Sequence, residues 1–226
     1  MAAKNHRKKR TKSFSYALYI FYVLILLIII GDIIGIMLYM RLDDSSRRLA
    51  VNFVYENIYY FDDQYWSFNQ LFYRQFMAQG SMWVLGLSLI GVVGNLFLVF
   101  LRGVTAGFNI FFIFQTLGFV RGLWVGFLWL LQYILILGVT VLSGYFSIRF
   151  VIITIKIIWH RKGVALLKKH LLNYFYQLVI ITVLTLVTTS VTYLLQPIIY
   201  TQFSRALENG HNLPDNNIIV LKKMNR

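Results

Sequence analysis

The chain has no cysteine, only two prolines, and eight acidic residues among 226. Without cysteine there is neither a disulfide nor a thiolate metal site. So few prolines, beside abundant Leu, Ile, Val and Phe, agree with long helices rather than the alternating strands of an outer-membrane barrel. Charged residues make up 13% of the chain, where a soluble domain carries about a quarter. The shortage of acid leaves a formal charge of +14. That excess does not indicate a nucleic-acid partner, because the basic residues cluster beside apolar runs and form no recognisable nucleic-acid-binding pattern.

What is present is apolar, at 58% of residues, and it comes in uninterrupted runs. Each run approaches the roughly 20 residues a helix needs to cross a ~30 Å hydrocarbon core. The expected fold is all-α: a polytopic membrane helix bundle of about five transmembrane helices plus a short re-entrant or interfacial segment, with the lipid bilayer as its main partner. A basic cytoplasmic tail (1–15), carrying Lys4, Arg7, Lys8, Lys9, Arg10 and Lys12 with no acid, precedes a first span over 16–40. That span is too long for a cleaved signal peptide, and the positive-inside rule places the N-terminus in the cytoplasm.

Residues 41–80 follow as an extracytoplasmic aromatic loop whose four arginines meet five acids. A second span is expected over 81–101 and a third over 104–120, joined by a very tight turn at Arg102-Gly103. The stretch 122–158 contains only Arg149 and Lys156 as charges and fits one long helix or two short ones. Read as two pieces, it gives a re-entrant or interfacial segment over 122–131 and a fourth span over 132–148. A basic cytoplasmic connection (149–173) with Arg161, Lys162, Lys168 and Lys169 leads to a fifth span, 174–195. It ends before Gln196-Pro197, and an extracytoplasmic polar tail covers 196–226.

Catalytic chemistry finds no purchase. His6, His160, His170 and His211 are scattered and form no His-Glu-x-x-His arrangement. Asp43-Asp44 and Asp62-Asp63 lack further oxygen ligands for a hard cation. No enzyme activity, metal, cofactor or small-molecule substrate is expected. Thr188-Thr189-Ser190 read as interhelical hydrogen-bonding groups. Asp32 is the most unusual intramembrane residue. A carboxylate inside a span requires a partner, a proton or water; Arg149 is one candidate partner, and protonation or a water-facing position are the others. It sits between Gly31 and Gly35, a spacing that permits close helix contact. Asp32, Asn109 and Gln115 lining a path would mark a transporter instead. In the outer loop, Phe61, Tyr65, Phe68, Phe72 and Phe76 recur at helical spacing and form one aromatic face, for the outer leaflet or for a partner.

Met82-Trp83-Val84-Leu85-Gly86-Leu87-Ser88-Leu89-Ile90-Gly91, followed by Phe100-Leu101-Arg102-Gly103-Val104-Thr105-Ala106-Gly107-Phe108, resembles stage II sporulation protein M in order and spacing. The likeness continues through Leu117-Gly118, the Gln132 region, Phe146-Ser147-Ile148-Arg149 and Gln196-Pro197, and it covers roughly residues 15–205. Family members often carry proline just before the glutamine that corresponds to Gln132, where this chain has Leu131. The resemblance implies a non-enzymatic scaffold of the bacterial cell membrane, placed at the sporulation septum. There it would anchor stage II sporulation proteins P and D while those partners dissolve septal peptidoglycan for forespore engulfment. It also implies a family motif role for Gly86, Gly91, Arg102, Gly103, Gly107, Gly118 and Gln132, while Gly31, Asp32 and Gly35 are assigned to helix packing by their spacing alone.

Overall fold

A computed structural model describes residues 2–43, 45–47, 49, 67–88, 90–160 and 164–208. Among these, five long helices follow in order: α1 (Ala2–Met40), α2 (Phe68–Leu85), α3 (Gly91–Leu117), α4 (Phe119–Trp159) and α5 (Val164–Glu208). The chain is an all-α membrane helix bundle. Four stretches are long and apolar enough to cross a membrane: Leu18–Met40, Gly91–Leu117, Gly122–Trp159 and Val164–Ile199.

Local chemistry sets where these helices start and stop. Ser67 opens α2 with a capping box: its hydroxyl accepts from Gln70 N–H while the Gln70 side chain accepts from Ser67 N–H. Between α2 and α3, Ser88 Oγ accepts from Gly91 N–H at 2.9 Å, satisfying a donor that the start of a helix leaves open. Gly118 separates α3 from α4 with φ of 73°, a left-handed conformation that glycine adopts without penalty. The chain reverses there in a single residue.

Contact order along each helix gives its direction. Gly31 meets Phe100 and Gly103, Gly35 meets Val104 and Phe108, and Tyr39 meets Phe112, so α1 and α3 run parallel. α3 and α4 are antiparallel, since Asn95 reaches Ser147 while Tyr133 reaches Arg102. α4 and α5 are antiparallel too, with Phe150 against Tyr174 and Val125 in one cluster with Ile199. Between the parallel helices α1 and α3 in the chain, α2 packs against α5 and runs antiparallel to it. It passes from Phe68 beside Tyr193 to Trp83 beside Tyr174, over 18 residues that rise ~27 Å, close to the ~30 Å of a hydrocarbon core. Apolar clusters close both ends of the bundle. Leu24, Ile28, Met82, Val99, Tyr145 and Ile148 form the near one, and Tyr39, Phe112, Ile113, Leu117, Val125 and Ile199 the far one.

Several expected boundaries move. The chain does not turn at Arg102-Gly103: both lie inside α3, and the expected spans over 81–101 and 104–120 become the end of α2, a turn at 86–90, and one helix. A lone arginine does not stop a helix, and Gly103 serves a close contact rather than a bend. The segment 122–131 is not re-entrant but the first turns of α4, which runs unbroken through Leu131, where no proline interrupts it. Of the expected connection 149–173, only 160–163 lies between α4 and α5. α5 continues through Pro197, whose lost N–H bond is an isolated defect that a long helix in lipid tolerates. The tail beyond Glu208 lies outside the described residues.

Candidate functional site

Two kinds of contact hold the interior together. The first is a glycine crossing. A Cβ on Gly31 would stand 2.5 Å from the Phe100 carbonyl oxygen, and one on Gly103 would stand 3.1 Å from Gly31 Cα. Gly35 and Gly107 are as tight, facing the carbonyl oxygens of Val104 and Asp32. Paired Gly-x-x-x-Gly spacings thus bring α1 and α3 into backbone contact, where dispersion replaces the missing hydrophobic drive. The packing expected of Gly31, Gly35, Gly103 and Gly107 comes together as one surface.

The second is a polar seam around α2. Gln75 Oε1 lies 2.9 Å from Thr189 Oγ1 and 3.4 Å from Thr188 Oγ1, and its amide nitrogen donates to Thr192 Oγ1 at 3.4 Å. One turn on, Gln79 donates to Thr140 Oγ1 at 3.0 Å. At the near end, Asn95 donates to Ser147 Oγ (2.6 Å), which donates to the Met82 carbonyl (3.0 Å). Tyr174 donates to the Trp83 carbonyl at 2.8 Å. Those two carbonyls belong to the last turn of α2; the Met82 oxygen also accepts from Gly86 N–H at 3.1 Å, and the Trp83 oxygen takes its bond from Tyr174. Gly86 leaves room for this arrangement, because a side chain there would strike Ser147 and Tyr174. Gly91 similarly leaves room for the Leu85 carbonyl. A stack of rings extends the node: Trp83 on Tyr174, Tyr174 on Phe150, Phe150 on His170.

Charges occupy a third place, near the middle of the spans. Tyr133 donates to the Arg102 carbonyl at 2.7 Å. That bond joins α4 to α3 beside Arg102, which is half-buried. Asp32 faces the backbone of Gly107, and its Oδ1 has no hydrogen-bond partner. Arg149, one candidate partner, is elsewhere, donating to Tyr145 at the near end.

The remaining sequence candidates spread out. Gln132 is half-buried on α4, Asn109 is half-buried on α3 and Gln115 is exposed. Phe68, Phe72 and Phe76 do stack along one side of α2, half-buried, with Phe68 edge-on to Tyr193. Phe61 and Tyr65 lie outside the described residues. Thr188 and Thr189 bond across helices as their type suggests, while Ser190 donates within α5 to Leu186. Sequence reasoning missed Gln75, Gln79, Tyr133 and Tyr174. The i, i+4 spacing of Gln75 and Gln79 was the available signal, facing threonines spaced likewise at 185, 188, 189 and 192. No family model, curated protein or solved structure matches this chain.

Proposed function

We propose that this chain is a non-enzymatic scaffold of the bacterial cell membrane, of the kind represented by stage II sporulation protein M. It would hold peptidoglycan hydrolases of the stage II sporulation protein P and D type at the septum for wall dissolution and engulfment. The observation that carries this reading is where the polar side chains go. Gln75, Asn95, Ser147, Tyr174, Thr188, Thr189 and Thr192 are committed to interhelical hydrogen bonds, an arrangement suited to fixing helices against one another rather than to turning over a substrate.

In this reading α1 enters from the cytoplasm, its basic start following the positive-inside rule, and the C-terminal end of α5 lies outside the cell. Residues 41–66 then face the wall, tethered by the Met40 end of α1 and by the Ser67 cap of α2. This aromatic segment recruits the partner. Scrambling residues 50–66 in the full chain is expected to abolish co-purification with the cognate wall hydrolase and to stall engulfment in a sporulating host. Normal co-purification by the scrambled protein sinks the recruitment idea.

A transport role draws on Asp32 within the first span, whose Oδ1 has no hydrogen-bond partner. Proteoliposomes holding the wild-type chain and the Asp32→Asn variant separate the two: a scaffold has no specific flux to lose, whereas a flux abolished by Asp32→Asn replaces the scaffold reading.

A further inference from the structure

At the near end of the bundle, α4 and α5 run on past the turn between α2 and α3. Asn95 bonds to Ser147, so the start of α3 at Gly91 lies level with Val151 on antiparallel α4. α4 continues from there to Trp159 and α5 opens at Val164, so their hairpin projects ~12 Å at about 1.5 Å per residue. That is enough to cross the ~5–7 Å of headgroup layer on one side of a bilayer.

His170 fixes the rotation of α5 in this hairpin. Its ring stacks on Phe150 of α4 at 4.8 Å, and its Nε2 lies 3.3 Å from the Phe150 carbonyl oxygen. Lys168 and Lys169 therefore point away from α4, and both are exposed. Lys168 belongs to an exposed stripe of every fourth residue: Val164, Lys168, Leu172 and Tyr176. Val164 is 82% exposed and Tyr176 71%. A lysine with exposed apolar residues on both sides along one stripe sits where lipid meets water, its stem on the apolar side and its ammonium at the headgroups. Trp159, 82% exposed at the end of α4, suits the same level.

No acid answers these cations. Residues 64–207 contain neither Asp nor Glu, and among the described residues Lys168 and Lys169 have no hydrogen bond or ion pair. The connection between the two helices adds Arg161 and Lys162. The hairpin of α3 and α4, at the other end of the bundle, differs in one respect. Phe119, Val120 and Trp124 are similarly exposed there, but Arg121 is the only cation between Arg102 and Arg149. Apolar exposure is common to both tips, and concentrated positive charge belongs to one.

We propose that the α4–α5 hairpin is a binding site for an anionic phospholipid, its phosphate met by Lys168 and Lys169 and its acyl chains by the stripe through Leu172 and Tyr176. A zwitterionic lipid brings its own ammonium to the same place and gains less. The inference rests on residence in a bilayer and is independent of the scaffold reading.

Native mass spectrometry of the full chain in neutral detergent, titrated with phosphatidylglycerol or with phosphatidylcholine of the same acyl chains, tests it. Phosphatidylglycerol is expected to bind about tenfold or more tightly than phosphatidylcholine, and joint Lys168→Gln and Lys169→Gln substitution to remove most of that preference. Either substitution alone should leave an intermediate preference, and joint Lys168→Arg and Lys169→Arg substitution should keep it. Joint Lys8→Gln and Lys9→Gln substitution removes the same charge from the start of α1 and should leave the preference near wild type. Equal affinity for the two lipids overturns the proposal. So does a preference that survives the loss of both lysines of α5, or one that falls as far when Lys8 and Lys9 are replaced.

Discussion

The α1/α3 crossing and the seam around α2 hold helices together by opposite means. At the crossing, side chains are absent: Gly31, Gly35, Gly103 and Gly107 let backbones touch. In the seam they are long and polar, and glutamines reach threonines on neighbouring helices. The difference follows hydropathy. α1 and α3 are apolar enough to enter lipid alone and need only a close-fitting surface. α2 carries Asn69, Gln70, Arg74, Gln75 and Gln79 and is not among the stretches apolar enough to cross a membrane. It therefore depends on α4 and α5 to receive its polar groups. A helix that inserts by itself is held by shape, and one that is brought in is held by hydrogen bonds.

The comparison breaks outright if α2 does not cross. The absence of cysteine allows single-site labelling of intact cells with an impermeant maleimide. Ser67→Cys should label, whereas Ser13→Cys and Ser88→Cys should not; labelling at position 88 would put both ends of α2 on one side. The next largest effect is expected at the crossing. Gly107→Val drives a side chain into the Asp32 backbone, which cannot yield without separating α1 from α3. We expect a loss of about 3 kcal/mol or more in a reversible unfolding titration in mixed micelles, and a loss under 1 kcal/mol would show that the helices part easily.

Seam substitutions should cost less, because each interhelical hydrogen bond in lipid contributes on average about 0.6 kcal/mol. Gln75→Leu removes contacts to Thr188, Thr189 and Thr192, and should destabilise by ~1–2 kcal/mol in the same titration. Gln79→Leu should cost less than Gln75→Leu, because Gln79 makes one such bond and its buried Oε1 already lacks a partner. The smallest change belongs to a glycine outside both regions. A Cβ on Gly138 of α4 meets nothing within 4 Å, so Gly138→Ala should raise stability by ~0.5–1 kcal/mol through helix propensity alone. Destabilisation there would mean that α4 has a neighbour at this glycine.

Much of this architecture was legible in the residues. The apolar runs marked the helices, and Gly31-Asp32-Ile33-Ile34-Gly35 announced a close contact. Thr188 and Thr189 were legible as hydrogen-bonding groups. Arg102-Gly103 misled because a charge beside a glycine resembles a turn, yet in α3 the glycine meets Ile28 and Gly31 and the charge stays within the span. The polarity of segment 68–85 did not reveal which helices it packs against. Its hydrogen-bond partners lie up to 117 residues away, beyond any local pattern.

The sequence by itself determined that this chain is helical and resides in a membrane. Transfer of each side chain into lipid is a local property that adds up along a run, so composition and run length suffice. Only the tertiary structure decided that α2 packs against α4 and α5 through its glutamines, that four glycines form one surface, and that Tyr133 joins α4 to the Arg102 carbonyl. Those outcomes depend on how each helix is rotated and which neighbour it meets, and that is settled by packing among segments far apart in the chain.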